Sequence, residues 1–178
     1  GGNGQLFRYR DGQLTAPPVR GKTFMVEESG RLVLGTNAGL FAQQEISSSS
    51  AVYVQMQSIS KQSDFLLPSK RGGYWVLADG GIQKLKDAKR ERDLGSYPWG
   101  DARVMSACED ADGNLIVGTE NAGVFWFNDE GKADQITSTQ GLSHGTALSL
   151  CIDREGDLWV GTNGGGLNRV KRKDFPHL

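Results

Sequence analysis

Net charge, cysteine, histidine and long apolar runs are all scarce in this chain of 178 residues, and each shortage excludes something. Twenty Lys and Arg stand against 21 Asp and Glu, a formal net charge of −1, so no basic field invites nucleic acid. No apolar run approaches the length of a membrane span, so this segment is expected to make no membrane contact of its own. The opening Gly1-Gly2-Asn3-Gly4 does not read as a signal peptide. The only histidines are His144 and His177, fewer than three-ligand zinc chemistry needs without other partners. No nucleophile elbow, His-Glu-x-x-His motif or phosphate loop occurs. No catalytic residue, metal or cofactor is expected. The two cysteines, Cys108 and Cys151, each lie ten residues ahead of a Gly-Thr pair. Met25 and Leu67 hold the same slot, which predicts one buried apolar position repeated four times. A disulfide would need the two Cα atoms within about 7 Å. Equivalent positions on adjacent repeats splay further apart, so free thiols are expected.

Glycine is what the chain has in quantity, 25 residues of it, and its placement is periodic. Asp153-Arg-Glu-Gly156-Asp-Leu-Trp159-Val-Gly161-Thr162 reads as a strand end, a tight turn and a short apolar strand. Asp110-Ala-Asp112-Gly113-Asn114-Leu-Ile-Val-Gly118-Thr119 repeats it. So does Glu27-Glu-Ser-Gly30-Arg-Leu-Val-Leu-Gly35-Thr36, and Ser69-Lys-Arg-Gly72-Gly-Tyr-Trp75-Val-Leu-Ala78 is a worn copy. The turn glycines Gly30, Gly72, Gly113 and Gly156 are spaced by 42, 41 and 43 residues. Short strands and glycine turns at that period are the signature of propeller blades. The expected fold is all-β: a β-propeller segment of about four blades, each of four antiparallel strands.

The chain divides accordingly. Residues 1–15 read as an outer half-blade with an Asp11-Gly12 hairpin turn, and Pro17-Pro18 breaks the sheet. Blades follow over 16–57, 58–100, 101–140 and 141–178. Strands are expected at 20–26, 32–36, 40–44 and 51–55; at 62–67, 74–78, 81–85 and 90–94; at 103–109, 114–118, 123–128 and 133–137; and at 147–152, 158–162 and 166–171. The charged stretch 86–93 is read as a solvated outer hairpin. Residues 171–178 offer no convincing outer strand, so an excerpt of a larger propeller is favoured over a closed small ring.

Leu148-Ser-Leu-Cys-Ile-Asp153 through Gly166-Leu167 resembles the two-component-regulator propeller repeat, and Val104-Met-Ser106 through Gly123 also matches it well. Residues 26–41 match in their second half. Residues 65–83 depart, with Leu77-Ala78 in place of Gly-Thr. The resemblance implies a seven-bladed propeller in the extracytoplasmic sensor region of bacterial membrane-bound regulators, some of which respond to oligosaccharides. A kinase or cyclase output is implied only for a parent protein.

Strand polarity puts the b–c and d–a loops at one end, where propellers commonly carry function. There the sequence places Tyr97, Trp99, Asp101, His144, Asp79, Glu120 and Asn163, with Asn37 and Asn121 nearby. Aromatic rings beside amides and carboxylates suit an oligosaccharide or a peptide, with Trp99 the first choice for contact. The acidic turns are read as backbone caps and not as calcium loops, because their glycine and glutamate positions are wrong for one. Trp75 and Trp159 are read as wedges between blades. Two other readings stay open: a scaffold for protein interaction, with a homodimer through the parent protein, and a propeller lyase. Streptogramin lyases use histidine, acid and magnesium on a related repeat; His144 with Glu120 would be the nearest equivalents.

Overall fold

A computed structural model describes residues 8–10, 13–15, 23–47 and 50–171. Seventeen strands run in chain order among them. The first two, β1 (Arg8–Arg10) and β2 (Gln13–Thr15), form an antiparallel hairpin. The Asp11-Gly12 turn expected between them lies outside the described residues, as do Pro17-Pro18 and residues 172–178.

Every expected strand that falls on described residues is present. The first blade is a four-stranded sheet of β3 (Phe24–Glu28), β4 (Arg31–Thr36), β5 (Gly39–Ser47) and β6 (Ser50–Ser58). The second has β7 (Ser63–Pro68), β8 (Tyr74–Ala78), β9 (Gly81–Lys86) and β10 (Lys89–Ser96). The third has β11 (Val104–Glu109), β12 (Leu115–Thr119), β13 (Val124–Phe127) and β14 (Ala133–Ile136). The fourth is described as three strands, β15 (Ala147–Ile152), β16 (Leu158–Thr162) and β17 (Gly166–Val170). Each sheet is an antiparallel meander in chain order, the arrangement of a propeller blade. One 3-10 turn, Ser138–Gln140, is the sole helical element described. It is capped by Thr137 and Gln140 in a reciprocal box and was not foreseen.

All four repeat glycines take positive φ, between 78° and 85°, which explains why the turn recurs with that residue. The charged stretch after Lys86 is indeed a hairpin. Asp87 and Ala88 both sit at positive φ, 49° and 61°, the signature of a two-residue type I′ turn.

The described chain forms two compact units. In the first, which holds β3–β9 apart from short pieces, Val26, Val33 and Leu40 of the first sheet pack with Leu66, Tyr74, Val76 and Leu85 of the second. In the other unit, Ile116, Val124, Trp126 and Ile136 of the third sheet pack with Leu158, Val160 and Val170 of the fourth. Each such side chain contributes roughly 1.5–3 kcal/mol when fully buried. All five residues of β12 are buried, as a continuous apolar run requires when both faces of the sheet are covered.

The repeated slot of Met25, Leu67, Cys108 and Cys151 needs correction. In the first repeat four residues, 28–31, separate the paired Glu27 and Leu32, whereas in the third five residues, 110–114, separate the equivalent pair Glu109 and Leu115. The shorter turn shifts β3 by one residue against β4. Val26 therefore pairs with Val33 as Cys108 pairs with Ile116. Val26 is buried, and Met25 points outward at 51% exposure. Cys151 is exposed and Cys108 half-buried, and both are free thiols as expected. Burial, with smaller upward pushes from Cys151, Asp110 and Glu109 against a downward pull from Lys70, raises Cys108 to about 12. It is a thiol and not a nucleophilic thiolate at neutral pH.

The Gly-Thr of the repeat acquires a physical reason only in three dimensions. Ser106 donates its hydroxyl to the carbonyl of Ala147 on the next sheet at 3.0 Å. Gly118 sits opposite Ser106 in the ladder. A Cβ on Gly118 would lie 2.8 Å from the Ala147 carbonyl oxygen and 2.9 Å from its Cβ. At Gly161 the close obstacle is the hydroxyl of Ser149, the end of a rotatable side chain. Gly118→Ala is therefore expected to destabilise by about 2 kcal/mol and Gly161→Ala by under about 0.5 kcal/mol. Chemical denaturation of the two variants checks the contrast, and equal losses would refute it.

Candidate functional site

The loops at the b–c and d–a ends are held by backbone geometry before any ligand is considered. In the first unit, Asp79 opens the β8–β9 turn at φ 52°. Its carboxylate accepts from the amides of Ser60 (2.8 Å), Lys61 (2.6 Å) and Gln62 (3.2 Å) and from the Ser60 hydroxyl (3.0 Å). Partial burial pushes its pKa up, but these four donors outweigh it and hold the carboxyl below the usual range. Asp79 thus organises the loop between the first two sheets, and its oxygens already have donors.

A group whose pKa is depressed on folding adds stability above its unfolded pKa and loses it as pH falls through the folded value. Asp79→Asn should therefore lower the melting temperature at pH 7. The gap from the wild type should close as pH drops below about 4, the ordinary carboxylate range. A constant gap across that range would show that the charge of Asp79 contributes nothing.

In the second unit, Arg103 donates from Nε and Nη2 to the two oxygens of Glu120, both at 2.7 Å. The hydrogen bond from Arg103 keeps Glu120 below the ordinary glutamate range. The Glu120 amide also donates to the Arg103 carbonyl at 2.9 Å. Asn121, at φ 64°, donates its amide to Thr146 Oγ1, which donates back to Asn121 Oδ1. Gly123 donates to the Gly145 carbonyl, and Asn163 to that of Thr146. His144 is exposed, and its Nδ1 accepts from the Thr146 amide at 3.0 Å, which leaves Nε2 for an outside partner. Ser143 bridges to the Asn168 side chain and the Gly165 carbonyl. The b–c turn 120–122 and the loop 141–146 are thereby one hydrogen-bonded rim. Asp101, His144 and Asn163 are exposed along these loops.

Trp99 is not on that rim as a free platform. It is 7% exposed. Its ring stacks on Tyr97 at 4.6 Å and meets Phe125 at 5.2 Å and Phe127 at 6.4 Å. Trp99 is a wedge under the loop, and Tyr97, half-buried above it, is the aromatic residue that remains accessible. The burial follows from Phe125 and Phe127 sharing one face of β13, a pocket that an indole fills.

At the opposite end the acidic turns behave as backbone caps. Asp110 accepts from the amides of Asp112 and Asn114, and Asp153 from those of Glu155 and Asp157. Each also accepts an indole N–H, from Trp126 and Trp159 respectively. Asp153, Glu155 and Asp157 cluster closely enough to hold an ion, but Arg169 already spans Glu155 and Asp157 at 2.6 and 2.7 Å. Trp75 is fully buried. Trp159 is half-buried, with the Arg169 guanidinium 5.6 Å from its ring.

Residues 98–121 and 141–164 match the protein family described as two component regulator propeller. No curated protein matches the chain. Among solved structures, one similar to it is described as the extracellular domain of a hybrid two component system, BT4673, from B. thetaiotaomicron. The identity is 18% and the TM-score 0.71, over 96% of this chain and 25% of that one. The WD40 beta propeller domain of Doa1 is similar at 14% identity and TM-score 0.66, over 94% and 57%. Virginiamycin B lyase from Staphylococcus aureus is similar at 13% and 0.58, over 87% and 56%. These likenesses establish the propeller fold. The chain spans a quarter of the length of the first of these structures.

Proposed function

We propose, from the premise that this chain carries two component regulator propeller repeats, that it is a recognition segment of a larger extracytoplasmic sensor. It binds an oligosaccharide or peptide at the loop end and leaves chemistry to other domains. The single observation behind this reading is the rim in the second unit. Exposed Asp101, His144 and Asn163 stand on turns whose own backbone groups are already bonded. Polar side chains on hydrogen-bonded turns fit a hydroxyl-rich or amide-rich ligand.

A lyase reading draws on the same loops, since His144 and Glu120 would supply it. Against it, Glu120 is tied at both oxygens to Arg103, which leaves it a poor proton acceptor. The scaffold reading predicts self-association without a small ligand.

The test is a thermal-shift and calorimetry screen of the chain against oligosaccharides and short peptides. A stabilising ligand is expected, and Asp101→Ala should weaken it at least about tenfold without moving the unliganded melting temperature. His144→Ala should weaken it likewise but also lower the unliganded melting temperature, because the Thr146 amide loses its acceptor. Failure of every ligand, with dimerisation retained, would favour the scaffold. Turnover lost on His144→Ala would favour the lyase.

A further inference from the structure

The outer strands of the blades differ in a way the ligand-binding reading does not use. β10 carries Lys89, Arg90, Glu91, Arg92 and Asp93 in sequence. β14 is four residues long. Charge and brevity are the usual devices that keep an exposed sheet edge from pairing with another chain. β6 has neither. It is nine residues long, Ser-Ala-Val-Tyr-Val-Gln-Met-Gln-Ser, and is the last strand of its sheet. No charged residue and no proline occurs between Glu45 and Lys61. Two β-branched side chains on one face of it stand in water, Val52 at 54% and Val54 at 40% exposure.

The ladder of β6 with β5 skips Met56, where Leu40 pairs with Gln57 and Phe41 with Gln55. A second irregularity lies between the Gln43–Tyr53 and Ile46–Ala51 pairs, where two residues of β5 face Val52 alone. The extra residue there belongs to β5, so β6 keeps one residue per step from Ala51 to Gln55. This stretch is self-complementary about Tyr53. An antiparallel second copy centred there sets Val52 opposite the partner's Val54, and Val54 opposite the partner's Val52. No charge meets a like charge, and two β-branched pairs form across the axis, a favoured cross-strand combination. The arrangement is isologous and closes as a two-fold dimer.

We propose that β6 is a self-association edge and that its occupant is the β6 of a second copy of this chain, in the register just given. It requires no ligand and no residue of the loop rim.

The test uses the whole chain with two double variants and sedimentation equilibrium. Val52→Lys with Val54→Lys places like charges opposite each other twice and should weaken the dimer at least about tenfold relative to wild type. Val52→Lys with Val54→Glu places opposite charges across the same axis and should keep the dimer within about tenfold of wild type. Both valines are exposed, so far-ultraviolet circular dichroism should be unchanged in both variants. A wild-type chain that is monomeric on the order of 100 µM overturns the proposal. So does a dimer that the two variants weaken equally, which would mean another register or another surface.

Discussion

Replacing Asp110 with alanine is expected to lower the melting temperature by about 8–16 °C, from a loss of about 4 kcal/mol. Asp110 is 2% exposed, and the Trp126 indole that bonds to it is fully buried. Its carboxylate accepts four donors: the amides of Asp112 and Asn114, the Asn114 side-chain amide and Trp126 Nε1. Truncation leaves these donors without an acceptor in a place water cannot easily reach, at about 1–3 kcal/mol for each group that stays unpaired. Asp110→Asn should fall in between, because one of its two terminal atoms becomes a donor facing donors. Asp153→Ala in the next repeat makes the internal control. Its turn is half-exposed, so water replaces the lost acceptor and the melting temperature should fall far less than for Asp110→Ala. Differential scanning calorimetry of the three variants decides this, and equal losses at the two aspartates would refute burial as the cause.

Trp99→Ala is expected to cost about 3–5 kcal/mol of stability, the loss typical of a buried tryptophan. Its ring is wedged between Tyr97 and the Phe125–Phe127 face, and truncation opens a void there. Trp99→Phe should lose much less. The indole N–H has no acceptor among the described residues, so phenylalanine keeps ring packing and deletes an unsatisfied donor. Denaturant titration of both variants, followed through the loss of near-ultraviolet dichroism, separates packing from any contact with ligand. If Trp99→Ala folds with wild-type stability, the wedge assignment fails and the residue returns to the rim.

The acidic turns connect these results to how the repeat works. Each Asp-x-x-Gly turn folds its own amides onto one carboxylate, and the same carboxylate anchors a tryptophan from the sheet. That design needs only local sequence, which is why the turn, its glycine and the strand after it could be read directly. The indole comes from β13 in one repeat and from β16 in the next, and nothing in the spacing announces that exchange.

The sequence by itself determined the blades. A turn glycine at intervals of 41 to 43 residues, followed by a short apolar strand, leaves little choice, because each unit must bury both faces of a small sheet. The hairpin in the charged stretch after Lys86 followed from the same period. Tertiary structure alone decided which side of a strand is wet. One residue fewer in the first a–b turn moved Met25 to the surface and Val26 to the core, a slip that no composition records because strand side chains alternate with period two. It also decided that Trp99 lies beneath the loop, since an aromatic residue in a loop sequence reads the same whether it caps a core or awaits a ligand. Only the facing phenylalanines of β13, more than twenty residues away in the chain, tell the two apart.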